Sequence, residues 1–93
     1  QRDVPQRTYD FVGVVREAKD SSGRILIEQR GKFSVGETLD VLSPAVSGLF
    51  EVTDILTEDG EQRDSAPHAQ EMLRISCPYD LQPGDMLRKK RGI

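Results

Sequence analysis

Glycine or proline recurs about every ten residues along this chain, eight Gly and five Pro among 93 positions, and the runs between them are short. Those runs are rich in Val, Ile, Leu, Phe and Thr, and none carries a sustained 3.6-residue apolar period. The spacing leaves no room for a stable amphipathic helix beyond a single turn near 67–71. It fits a sandwich or barrel of short strands.

Six runs stand out. Residues 10–18 and 24–30 read as a hairpin, because Ser21-Ser22-Gly23 between them is turn chemistry. In 38–43, Leu39 and Val41 alternate with Thr38 and Asp40 until Pro44 stops the run. The run 49–57 places Phe50 and Val52 on one face and then shifts phase at Ile55, as a bulge or a barrel corner would. In 71–77, Leu73, Ile75 and Cys77 point inward and Met72, Arg74 and Ser76 outward. The last run, 85–90, is short. The alternation predicts that Leu39, Val41, Phe50, Val52, Leu73 and Ile75 are buried, with Thr38, Asp40, Arg74 and Ser76 exposed. Val35-Gly36-Glu37 before the third run and Pro83-Gly84-Asp85 before the sixth echo each other, as two similar corners of one barrel would. The fold class is therefore all-β, a small closed barrel of about six strands.

Ninety-three residues hold one domain with one modest core. The assignment is a linker or cut end over 1–8 and a single barrel over 9–91, the start Gln1-Arg2-Asp3 reading as a cut point in a longer protein. No apolar run approaches the ~18 residues of a membrane span, so no membrane partner is expected. Cys77 stands alone, which rules out an internal disulfide and suits a reducing cytoplasm. The net charge of −3 is unevenly placed, with acids crowding 51–71 and bases gathering in 16–32 and in Arg88-Lys89-Lys90-Arg91.

The chain lacks a nucleophile elbow, a phosphate-cradling loop and a dinucleotide fingerprint. One Cys and one His cannot build a structural zinc site, so neither metal nor cofactor is expected in this fragment. His68 has no nucleophile or orienting acid at diagnostic spacing and reads as a residue that ties its loop down through backbone hydrogen bonds. Cys77, inward-facing before Pro78, reads as a small buried apolar residue. The acids at 58–64 miss the spacing of a calcium loop and read as a solvated hairpin tip. Tyr9, Phe11 and Tyr79 are too scattered in sequence for a base-stacking platform. Residues placed to meet a partner are Pro67, His68 and Gln70 in the loop and Arg88, Lys89, Lys90 and Arg91 at the end.

Phe11-Val12-Gly13-Val14-Val15, the block Ile27-Glu28-Gln29-Arg30-Gly31-Lys32-Phe33-Ser34-Val35-Gly36-Glu37, Glu58-Asp59-Gly60-Glu61 and Ala66-Pro67-His68-Ala69-Gln70 resemble the C-terminal domain of the U32 peptidase family, the collagenase-like proteases. Arg74-Ile75 and Pro83-Gly84-Asp85-Met86-Leu87-Arg88 extend the resemblance over about 9–91. It implies a six-stranded barrel similar to the second domain of translation elongation factors, following a larger domain that carries the chemistry. Members are named as peptidases, and several are linked to hydroxylation of tRNA or ribosomal RNA with an iron–sulfur cluster held by cysteines of the larger domain. No catalytic residue carries over onto this sequence. The expected function is a non-catalytic accessory domain that docks on the catalytic domain of the same chain or helps seat a protein or RNA substrate. The alternative is an RNA-binding module of an RNA-modifying protein; an independent hydrolase comes last.

Overall fold

In a computed structural model that describes residues 9–66, 68 and 70–90, the runs become strands. They are β1 (Tyr9–Glu17), β2 (Arg24–Gln29), β3 (Phe33–Ser34), β4 (Thr38–Leu42), β5 (Leu49–Glu51), β6 (Ile55–Thr57), β7 (Gln62–Arg63), β8 (Ser65–Ala66), β9 (Met72–Ser76) and β10 (Met86–Lys90). Eight of them make one strongly curled antiparallel sheet in the order β5-β4-β10-β1-β2-β9-β6-β7, and β3 pairs with β8. The half-barrel so formed is consistent with the small barrel read from the sequence, but its strands exceed six. The extra ones have a simple origin. The run 49–57 breaks at 52–54, where the phase shift falls, and β3, β7 and β8 are two-residue pieces too short to display any alternation.

Backbone bonds brace that break. Val52 N–H donates to the Glu37 carbonyl (2.9 Å) and Gly36 N–H donates to the Val52 carbonyl (2.8 Å), so the corner before β4 holds the chain as it leaves β5. The two echoed corners match in conformation: Gly36 has φ 98° and Gly84 φ 97°, a region that side-chain-bearing residues avoid. At the second corner the Asp85 carboxylate accepts from Gln82 N–H (2.9 Å), whereas Glu37 pairs with Lys89 (3.1 Å).

Leu39, Val41, Phe50, Val52, Leu73 and Ile75 are all buried, in one cluster with Ile25, Ile27, Phe33, Leu81 and Leu87. The outer positions need correction. Thr38 is exposed, but Asp40, Arg74 and Ser76 are half-buried. Asp40 accepts from Arg88 Nε (2.7 Å), Arg74 reaches Glu17 and Asp20, and Ser76 N–H donates to Asp54 (3.0 Å). Long charged side chains lie along the sheet and cover their neighbours' stems.

Candidate contact surface

The loop leading into β9 is held from beneath. Val12 sits in a bulge of β1, and its carbonyl accepts from both Arg30 N–H (2.7 Å) and Gly31 N–H (3.2 Å). That contact brings the turn after β2 hard against β1: a Cβ on Gly31 would stand 2.5 Å from the Phe11 carbonyl oxygen. Gln29, the last residue of β2, is thereby buried. Its Nε2 donates to the carbonyls of Gly31 (3.0 Å) and Ala66, while its Oε1 is buried without a hydrogen-bond partner. Its backbone carbonyl accepts from Gln70 N–H (2.6 Å), and its own N–H donates to Glu71 (2.8 Å). Gln70 takes φ 70°, unusual for a residue with a side chain.

Gln29 is thus the tie that was expected of His68, whose side chain is exposed and makes no hydrogen bond with a described residue. Pro67 lies outside the described residues, and Gln70 is exposed. A signal for Gln29 was present: it continues the inward phase of Ile25 and Ile27.

The basic run at the end is largely engaged. Arg88 pairs with Asp40 and lies over the Tyr9 ring, its guanidinium carbon 3.8 Å from the centroid, and Lys89 pairs with Glu37. Lys90 is exposed; Arg91 lies outside the described residues. The acidic and basic groups separated in sequence also meet: Arg24 pairs with Asp54 (2.7 Å). Burial pushes the Asp54 carboxyl up, but the Ser76 N–H and Arg24 outweigh it and hold the group below its ordinary range. Among the described residues, Lys32 and Lys90 are the bases with no acid in reach.

Cys77 is buried, and desolvation raises its thiol above the ordinary cysteine range, the reverse of what a nucleophile needs. Tyr79 packs edge-on against Phe50, with ring centroids 6.2 Å apart. Tyr9 and Phe11, scattered in sequence from any partner, lie together on the outer face of β1 beside β10. Glu58, Asp59 and Glu61 surround the β6–β7 tip with Arg63 and Glu71. No group of three or more metal-ligating side chains occurs among the described residues.

Comparison with known proteins places this geometry. The chain is 28% identical over 83 residues to tRNA hydroxylation protein P1 of Bacillus subtilis, a match that takes in 88% of this chain and 20% of that protein. The chain therefore spans about a fifth of the length of that relative. Two crystal structures of the C-terminal domain of a Geobacillus thermoleovorans protein described as a U32 peptidase superpose on it. One, the selenomethionine variant, has a TM-score of 0.81 at 26% identity and covers 86% of this chain and 99% of that one. The other has a TM-score of 0.82 at 25% identity and covers 88% and 93%. The family described as the peptidase family U32 C-terminal domain matches residues 7–88, nearly the whole chain, and this chain belongs to it.

Proposed function

We propose that this domain is a non-catalytic accessory module of a longer, cytoplasmic U32-family protein, and that it docks on the part of the chain that carries the chemistry and helps seat a tRNA substrate. The observation that carries the reading is the match to one fifth of a protein named for tRNA hydroxylation, by a domain whose lone cysteine is buried and whose lone histidine faces solvent. A domain so built contributes surface and position, not a reacting group. Peptidase chemistry in such a longer protein would likewise lie outside this domain.

Deleting the domain from the longer protein and weighing the modified nucleosides of total tRNA tests this. Hydroxylated tRNA is expected to fall sharply; an unchanged level would remove the accessory role.

A direct RNA-binding module is the second reading, favoured by the exposed bases Lys32 and Lys90. It is the weaker one, because Arg88 and Lys89 already face acids of this domain. Neutralised phosphates make affinity fall steeply with salt. Micromolar, salt-sensitive binding of tRNA by the isolated domain, lost in a Lys32→Ser/Lys90→Ser variant, would put this reading first.

A further inference from the structure

The outer wall of the sheet is divided in two. Over β2, β9, β6 and the last residues of β1 it is laced with ion pairs, Arg16 to Glu28 (Nε to Oε1 2.9 Å), Arg74 to Asp20 (3.5 Å) and Arg24 to Asp54. Over β5, β4, β10 and β1 it carries four of the five exposed large apolar side chains among the described residues, and is the more apolar half. The register sets Leu42 beside Met86, Met86 beside Val14, and in the next row Leu49 beside Asp40, Asp40 beside Arg88 and Arg88 beside Phe11. Leu49 is 62% exposed, Phe11 and Met86 41%, and Leu42 38%. Side by side on one face, they form a patch rather than scattered surface residues. Its central charge pair, Asp40 with Arg88, is already made, while Glu51 and Lys90, which have no ion pair among the described residues, stand at its edge in the row of Thr38 and Tyr9. A groove of about 240 Å³ between Tyr9, Thr38, Asp40, Leu49 and Lys90 runs along its rim.

The geometry points to this apolar half as the surface that docks on the polypeptide preceding the domain in longer family members. Two observations select that occupant. The matched stretch is a fifth of the Bacillus relative, and the family describes it as C-terminal, so most of such a chain comes before it. It reaches the domain through β1, whose first described residue, Tyr9, lies on this same face beneath Arg88. A tether at the edge of a patch holds its partner at millimolar effective concentration, so a patch of a few side chains suffices without the area a free complex needs. The complementary surface is apolar, with an acid on its rim to meet Lys90. This inference rests on the accessory reading and adds the face that serves it.

The two methionines provide the test, because Met86 lies in the apolar half and Met72 on the ion-paired half. Hydroxyl-radical oxidation of each is followed by mass spectrometry in the intact longer protein and in the isolated domain, which folds alone in the Geobacillus relative. Met86 is expected to oxidise about five-fold more slowly in the intact protein, with Met72 unchanged. Leu49→Lys in the intact protein, which sets a cation rather than a second carboxylate beside Asp40, should return Met86 to its isolated rate while leaving the melting temperature of the isolated domain unchanged. Equal Met86 rates in the two forms, with Met72 protected instead, would keep docking but move it to the other half. Protection of neither would remove docking as well. Slowing of Met86 in the isolated domain by higher protein concentration, or by added tRNA, would give the face to a second copy or to RNA and overturn the inference.

Discussion

Gln29 offers the sharpest test of how the loop before β9 is held. Gln29→Leu keeps the volume roughly constant and withdraws two donors from the carbonyls of Gly31 and Ala66. Each bond contributes about 1 kcal/mol net, and a buried carbonyl left short of a donor costs about 1–3 kcal/mol. Against that, Oε1 is buried with no partner, so removing it relieves about 1 kcal/mol. The balance is a loss of about 1–3 kcal/mol, which for a domain of this size lowers Tm by about 4–8 °C per kcal/mol. Gln29→Glu places a carboxylate against the same two carbonyl oxygens and should cost about 3–5 kcal/mol at neutral pH. Its folded-state pKa would lie above the unfolded value, so the deficit shrinks as pH falls through the folded pKa toward the unfolded one. Thermal and urea unfolding followed by circular dichroism give both quantities, and amide exchange at Gln70, whose N–H donates to the Gln29 carbonyl, reports the loop itself. A leucine variant as stable as the parent, or a glutamate variant milder than leucine at pH 7, would refute the tie.

Two further outcomes follow from the core and from the β1–β2 turn. Ile75→Ala, at a fully buried position opposite Ile25, should cost about 2–5 kcal/mol by urea unfolding; a loss below about 1 kcal/mol would contradict the register of β9. The Asp20 carboxyl accepts from Ser22 Oγ (2.6 Å), from Arg24 N–H and from Ser22 N–H, which together hold its pKa at about 2. A depressed carboxylate pKa adds stability that is present above the unfolded value and lost as pH falls through the folded one. Melting temperature should therefore decline between about pH 4 and pH 2, less so in Asp20→Asn, and identical acid profiles would count against the turn.

Period-two alternation with one buried face was enough to place β4 and β9 and the inward residues Leu39, Val41, Leu73 and Ile75, because such a pattern admits a single register against the core. Turn chemistry likewise marked the corners at Gly36 and Gly84, whose backbone conformation suits a residue without a side chain. What the linear order could not carry is which outer side chains become neighbours. Arg24 and Asp54 are thirty residues apart, and Arg88 and Asp40 forty-eight; only the pairing of distant strands turns two charge blocks into ion pairs. The same pairing brings Leu49, Leu42 and Met86 to one face with Phe11 and Tyr9, and lays Gln29 under a loop thirty-seven residues downstream. Alternation is a property of one strand and is written locally. A surface, or a buried amide beneath a loop, belongs to several strands at once and exists only when the sheet has curled.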